Sequence, residues 1–310
     1  MRILILGAGG IGGYFGARIQ AAGGDVTFLV RPARAAQLRA GGLKVFSAFG
    51  DLQITPKVLI KDELRAPFDV IIVSCKAYDL ASAMDAIASA VGENSVILPL
   101  LNGVSHIDTL AARFGSERVL GGVALISTML SPNGEVRHLN KMHRLVIGSR
   151  SAPPSQWLQP LATLLAATAF DFVHSDNIEQ AMWDKIVFLS SLAGATCTLR
   201  ASIGDILNTV AGEDFITGLL ADCARVAEAS GHAVAEAQLA GNRKLLTEKG
   251  SALVASMLRD VERGGATEAD HILGDLVGRA QARGLDVPRL KLAYSHLQAY
   301  DLRRKSGKTI

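Results

Sequence analysis

The stretch that most constrains the fold is a glycine-rich turn near the start of the chain. A short apolar run, residues 2–6, leads directly into GAGGIG, where Gly7, Gly9 and Gly12 have the spacing G-x-G-x-x-G. A short apolar run that ends in glycines is typical of a strand buried on both faces of a parallel sheet. A helix is predicted to follow, over about residues 10–22.

Each glycine in this context has a physical role. The first permits a tight turn, the second lets the backbone approach a pyrophosphate, and the third lets helix and strand pack closely. The N-terminus of the helix favours the anion. The sequence therefore predicts a dinucleotide site formed by Gly7, Gly9, Gly10, Ile11 and Gly12. A tight turn without a ligand is the alternative, because the motif alone is weak.

The end of the second predicted strand, residues 25–30, indicates which dinucleotide binds. NAD-specific folds place an acidic residue here, which accepts hydrogen bonds from the ribose hydroxyls. This chain has Arg31 instead, and no acidic residue follows before Asp51. A guanidinium fork suits a 2′-phosphate, to which Arg34 and Lys76 can add charge. NADPH is therefore the predicted cofactor; the alternative is that these cations are solvent-facing loop residues.

The rest of the chain predicts two domains. Buried strands are predicted over residues 68–76, 95–103, 118–130, 134–139 and 144–149, with helices between several of them. This alternation indicates an α/β fold, an N-terminal Rossmann-type doubly wound parallel sheet over residues 1–176. From residue 178 only helical windows follow, at 178–197, 213–230, 235–260, 266–283 and 288–303. Residues 177–310 are therefore predicted to form an all-helical domain, with a cleft between the two domains.

Composition excludes other classes of protein. The 310 residues carry 32 basic and 29 acidic side chains, a balance that argues against a nucleic-acid binder. No apolar stretch approaches the roughly 18 residues of a membrane helix, so a soluble, cytoplasmic protein is expected.

The cysteines and histidines do not have the spacing of metal ligands. Three scattered cysteines suggest buried thiols in a reducing compartment. His138 and His143 are close in sequence, but in a polar segment read as a turn and without carboxylate or cysteine partners. No metal site is predicted.

Four polar residues are candidates for chemistry. Lys185 lies in an apolar helical stretch, from which its ammonium could reach water or instead protonate a carbonyl oxygen beside a nicotinamide. Asn102 follows a sheet strand, at the edge where doubly wound folds bind ligands. Ser256 and Glu268 flank a Gly-Gly break near the end of the chain.

With the glycine turn, the stretches CKAYD, LNGV, WDKIVFLSSL and SMLRDVERGGATEADHI resemble the ketopantoate reductase family, the 2-dehydropantoate 2-reductases. The resemblance covers the whole chain. It implies a Rossmann domain, a helical domain, NADPH, and reduction of a 2-oxo acid to a 2-hydroxy acid.

The resemblance also implies roles for individual residues. Lys185 matches the catalytic lysine, and Glu268 the acid that binds the substrate hydroxyl and steadies the lysine. Asn102 matches a residue that holds the lysine and substrate, and it is also predicted to bind the cofactor. Ser256 matches a contact to the substrate carboxylate. The two positions that contact the 2′-phosphate are Arg31 and Lys76.

The chain departs from the family pattern at two positions. Leu189 and Ala193 stand where members acting on ketopantoate typically have asparagines. Both fall on the face of the helix that carries Lys185, so we expect a more apolar substrate pocket. The substrate is then 2-dehydropantoate or, alternatively, a less polar 2-oxo acid or ketone. A non-catalytic NADP(H)-binding regulator is a further alternative, and a homodimer is possible.

Overall fold

The computed structural model describes residues 1–152 and 155–307. By its internal contacts the chain divides into two compact units. The first contains Met1–Leu101 and His106–Ala181, and the second contains Asn102–Ser105 and the chain from Met182 onward. The division after Ala181 lies close to the predicted boundary near Asp176.

The strands of the first unit are β1 (Arg2–Leu6), β2 (Asp25–Leu29), β3 (Leu43–Phe46), β4 (Leu52–Ile54), β5 (Lys57–Leu59), β6 (Phe68–Val73), β7 (Val91–Pro99), β8 (Gly121–Leu130), β9 (Val136–Gly148) and β10 (Asp171–His174). Its helices are α1 (Gly10–Ala21), α2 (Pro32–Gly41), α3 (Leu80–Ile87), α4 (Ser105–Phe114) and α5 (Leu158–Ala166), and α6 (Ile178–Leu199) begins there.

A parallel sheet with the order β5-β2-β1-β6-β7 forms the centre of this unit. The core of β1 is fully buried at Ile3, Leu4 and Ile5, as expected of a strand covered on both faces. The predicted Rossmann-type architecture is therefore confirmed. Because β1 lies between β2 and β6, the loops that follow these three strands meet at one edge of the sheet.

A second, mixed sheet accounts for the strands after residue 118. Its order is β10-β9-β3-β4, with β8 antiparallel to β9. The prediction of separate strands over 134–139 and 144–149 was wrong, because one strand, β9, runs through both. Asn140 and Lys141, which lie between the two predicted strands, are exposed where the pairing of β8 with β9 is irregular.

His138 and His143 were predicted to lie in a polar turn. Instead, both lie in the strand β9. The ring of Phe49 stacks on His143 at 3.6 Å between centroids. Tyr14 Oη and His143 Nδ1 are hydrogen-bonded at 2.9 Å. Both histidines are thus part of an aromatic cluster that packs against α1.

The second unit is formed by the rest of α6 with α7 (Ile203–Leu207), α8 (Gly212–Ala229), α9 (Glu236–Leu246), α10 (Ser256–Glu262), α11 (Asp275–Ala282) and α12 (Pro288–Lys305). Its described residues contain no strand. The predicted window 235–260 is broken into α9 and α10, and Gly250 in the break has a φ of +70°. Before α11, residues Asp270–Gly274 form a π-helical turn.

Two structural findings bear on the excluded classes. Over residues 1–152 and 155–307, no helix is both long and apolar enough to cross a bilayer. Within the same ranges, no group of three or more His, Cys, Asp or Glu side chains could hold a metal ion.

Cys197 and Cys223 are buried free thiols, and burial raises the pKa of each to about 12.

Candidate active site

The glycine loop has the geometry that close approach of a ligand requires. Gly7 has a φ of +94°, and its N–H donates to Leu29 O at 2.9 Å. A Cβ on Gly12 would overlap Ser74 Oγ and Gly7 O, so this position accepts no side chain. At Gly9, by contrast, a Cβ would meet no protein atom within 4 Å. The loop is closely packed inside and open at Gly9.

The first turn of α1 follows directly. Gly10 is restricted by Thr128, whose Oγ1 would lie 2.6 Å from a Cβ at that position. Ile11 is partly exposed beside it. The backbone N–H groups of this helix start point away from the helix without an intrahelical acceptor, which is the arrangement that suits a phosphate. The residues present fit the pyrophosphate of a dinucleotide.

Arg31 and Lys76 lie on the loops that follow β2 and β6, on either side of the glycine loop. Arg31 is the residue before α2, and 79% of its side chain is exposed. Its Nη2 atom is 3.1 Å from Asp79 Oδ2. Asp79 belongs to the 3₁₀ turn after Lys76, and its N–H donates to Lys76 O at 2.9 Å. An acidic side chain therefore lies beside the predicted phosphate-binding cations.

Arg34 has a different environment from the one expected. Its Nη2 donates to Ala8 O of the glycine loop at 2.9 Å, and its Nη1 donates to Gln37 Oε1. Burial lowers the pKa of Arg34. The guanidinium of Arg34 thus hydrogen-bonds the backbone of the glycine loop, and two of its nitrogen atoms already donate to protein acceptors.

In the second unit, Lys185 and Asn102 are brought together although they are far apart in sequence. Lys185 lies on α6, and its Nζ donates to Asn102 Oδ1 at 3.0 Å. Burial lowers the pKa of Lys185 to about 8, an effect that the negative charge of Glu268 partly offsets. Glu268 is only 6% exposed. A lysine whose pKa lies near neutrality can exchange a proton with a bound group at physiological pH.

The remaining predicted substrate residues have unequal access to solvent. Ser256 is exposed at the first position of α10, and Leu189 is partly exposed on α6. Ala193 is only 1% exposed, so in this structure it lies within the packed helices and forms no open wall. Of the two departures, only Leu189 is accessible to a ligand, and that it lines a substrate pocket stays a prediction.

Two side chains at these sites were missed by the sequence analysis. Asp79 is the last residue of CKAYD, where only the lysine was considered. His271 follows Glu268 by one helical turn, and its Nδ1 is 3.0 Å from Ser105 Oγ. In each case the available signal was a titratable residue three positions after one already selected. Where that side chain points depends on the local 3₁₀ or π-helical geometry, which the sequence does not show.

Comparisons with known proteins cover almost the entire chain. Residues 3–152 match the family model described as ketopantoate reductase PanE/ApbA, and residues 177–301 match the model of its C-terminal domain. The uncharacterized oxidoreductase YkpB of Bacillus subtilis is 35% identical over 301 residues, which cover 97% of this chain and 99% of that protein.

Solved structures show the same relationship. The 2-dehydropantoate 2-reductase of Geobacter metallireducens is 28% identical, with a TM-score of 0.88 over 96% of this chain and 99% of that one. A D-mandelate dehydrogenase solved with NADH and anilino(oxo)acetate shares the fold at 20% sequence identity. Its TM-score is 0.88, and the match covers 98% of this chain and 100% of that one. With both family models matched along its length, the chain belongs to the ketopantoate reductase family of oxidoreductases.

Proposed function

We propose that this protein reduces a 2-oxo acid to a 2-hydroxy acid with NADPH, and that Lys185 is the proton donor. The observation that carries the proposal is the hydrogen bond from Lys185 Nζ to Asn102 Oδ1 at 3.0 Å. This bond fixes the direction of an ammonium group whose pKa burial has lowered to about 8. A lysine that only snorkels to water would keep an ordinary pKa.

The residues of the second unit then divide the work. NADPH, held at the glycine loop and by Arg31 and Lys76, would supply the hydride that the carbonyl carbon accepts. Lys185 donates a proton to the carbonyl oxygen as negative charge develops there. Asn102 orients the ammonium, and Glu268 keeps it protonated while accepting a hydrogen bond from a substrate hydroxyl. Ser256, exposed at the start of α10, is available to the substrate carboxylate.

The cofactor proposal depends on the first unit. Arg31 and Lys76 would hold the 2′-phosphate, and the loop at Gly9 would receive the pyrophosphate. The ion pair between Arg31 and Asp79 opposes this assignment, because the carboxylate competes with the phosphate for the guanidinium. An exposed pair contributes only about 0.2–1 kcal/mol. We therefore expect NADPH to bind about tenfold or more tightly than NADH, with Asp79 reducing the difference.

Two substrate classes are compatible with the site. 2-Dehydropantoate is the default for the family. Leu189 favours the second class, a less polar 2-oxo acid or ketone, because an aliphatic side chain cannot hydrogen-bond a substrate hydroxyl. A pocket of this kind separates two substrates by about two orders of magnitude at most, whereas a polar site reaches ~10⁴.

The test is the rate of NADPH oxidation, followed at 340 nm, over a panel of 2-oxo acids that differ in the polarity of the side chain. The same panel is run with NADH. The proposal expects turnover of at least one 2-oxo acid with NADPH. Tight NADPH binding with no turnover of any panel member would instead support a non-catalytic regulator. A homodimer and a cytoplasmic location remain predictions, which light scattering and cell fractionation would check.

A further inference from the structure

The short turn that carries Asn102 is in contact with one histidine of the helical unit. Although it follows β7 in sequence, the segment Asn102–Ser105 belongs to the second unit by its contacts. Gly103 in this turn has a φ of +96°, and a Cβ there would lie 2.6 Å from Cδ2 of His271. Ser105 Oγ is 3.0 Å from His271 Nδ1, and the ring also hydrogen-bonds the backbone of Asn102.

These contacts suit a neutral imidazole. With its proton on Nε2, the ring can donate to the backbone carbonyl of Asn102 and accept at Nδ1 from the Ser105 hydroxyl. The neutral ring satisfies both partners at once. Burial lowers the pKa of His271, while the charges of Glu268 and Asp275 and the Asn102 backbone raise it.

The support beneath His271 is a π-helical turn, a feature that is rare and frequently occurs at functional sites. The backbone N–H of His271 donates to the backbone carbonyl of Glu268 at 3.1 Å, so the turn begins at the buried acid. Tyr294 Oη of α12 donates to Asp270 Oδ1 at 2.8 Å at the start of the turn. Ser190 Oγ on α6 lies 3.4 Å from Ile272 O. The turn is thus held from two helices, one of which carries Lys185.

We propose that His271 is a positioning residue, which fixes the Asn102 turn so that the amide of Asn102 holds the ammonium of Lys185. The proposal rests on the proposed function of Lys185. It predicts that His271 acts on catalysis only through Asn102 and has no direct part in cofactor binding. The π-helical turn would then couple Glu268, whose charge raises the pKa of Lys185, to Asn102, whose amide oxygen accepts from it.

The experiment is a double-mutant cycle with His271→Phe, Asn102→Ala and the pair. His271→Phe keeps a ring of similar size and removes both nitrogens. We expect it to lower kcat by about 10- to 100-fold, as for a small misplacement of a catalytic group, with the Kd for NADPH unchanged within about twofold. The double variant should be no slower than Asn102→Ala alone, because both changes remove the same interaction.

The matched control is His296→Phe on α12, where a histidine of the same unit has a buried Nε2 without a hydrogen-bond partner. We expect its kcat to match that of the parent. Additive losses in the double variant, or a His271→Phe enzyme with the parent kcat, would overturn the proposal. If His271→Phe fails to fold, Ser105→Ala replaces it, since this change removes only the hydroxyl partner of the ring. We expect Ser105→Ala to lower kcat by a smaller factor and to be non-additive with Asn102→Ala. Additive losses in that pair would also overturn the proposal.

A readout independent of catalysis separates this proposal from the function on which it rests. Hydrogen–deuterium exchange of the peptide that contains Asn102–Ser105 should be faster in His271→Phe than in His296→Phe. Unchanged exchange of this peptide contradicts the positioning role even if the parent enzyme is active. A parent protein that reduces no 2-oxo acid contradicts the proposed function, whatever the exchange result.

Discussion

Replacing Lys185 by methionine should stabilise the helical unit while abolishing its chemistry. Folding lowers the pKa of this ammonium from 10.5 to about 8 because the group is buried. The difference corresponds to about 3.4 kcal/mol as an upper limit. Asn102 Oδ1 loses its donor in the variant, which costs about 1 kcal/mol, and the remaining exposure of the lysine reduces the gain further. We expect a net gain of about 1–2 kcal/mol at pH 7.

The pH dependence of the stability difference tests whether burial of the charged lysine is its cause. Below pH 8 lysine is protonated in both states, so the full cost of burying charge is present. Between pH 8 and 10.5 the unfolded parent binds more protons than the folded one, so the stability of the parent rises with pH. Methionine does not titrate. The stability advantage of the variant should therefore shrink between pH 8 and pH 10, by at most about 2 kcal/mol, and approach zero or reverse.

Each unit contains one of the two tryptophans, so fluorescence can assign an unfolding transition to one unit or the other. Trp183 on α6 is 5% exposed in the helical unit, and Trp157 lies in the first unit. In a Trp157→Phe background, urea unfolding followed by fluorescence reports the surroundings of Lys185. The control is Lys244→Met, at an exposed position of α9, which should change stability by less than about 0.5 kcal/mol. A Lys185→Met variant no more stable than its parent at pH 7, with a difference independent of pH, would refute the reasoning.

The remaining predictions concern cofactor and substrate. Arg31→Asp should narrow or invert the preference for NADPH, measured as Kd values by quenching of protein fluorescence; equal Kd values for NADPH and NADH in the parent would contradict the assignment. Asp79→Asn should tighten NADPH binding by up to about fivefold and leave NADH unchanged, whereas Asp85→Asn, which removes an exposed acid of the same unit, should alter neither. Leu189→Asn should increase the ratio of kcat/KM for ketopantoate over its deoxy analogue; a parent ratio of ~10⁴ would show that another residue supplies the missing hydrogen bonds.

Much of the fold could be predicted because its signals are local. The apolar run before Gly7, the glycine spacing and the change to helical periodicity near residue 178 are all read from adjacent residues. The strands β3, β4 and β5 were not predicted, since each has only three or four residues and depends on partners elsewhere in the chain. The second sheet was missed for the same reason, because strand pairing is decided by tertiary contacts.

The candidate site shows the same limit. The residue patterns selected Lys185 and Asn102 separately, and only the family resemblance implied that they meet; the structure has the amide oxygen 3.0 Å from the ammonium. The engagement of Arg34 with Ala8 O and the ion pair of Arg31 with Asp79 depend on how the loops after β1, β2 and β6 meet. Periodicity predicts that Ala193 shares the face of Lys185, but it cannot tell whether that face is open or packed at a given turn; Ala193 is 1% exposed.

The measurement that tests the central claim most directly is kcat of Lys185→Ala, determined with saturating NADPH and the best 2-oxo acid of the panel, together with the pH profile of the parent. We predict that the variant loses a factor on the order of 10² to 10⁴ in kcat, with the Kd for NADPH unchanged. We also predict that kcat/KM of the parent, which reports the free enzyme, falls as pH rises through about 8, where Lys185 loses its proton. A variant that keeps most of its kcat, or a parent whose kcat/KM is level through that range, would contradict the assignment of Lys185 as the proton donor.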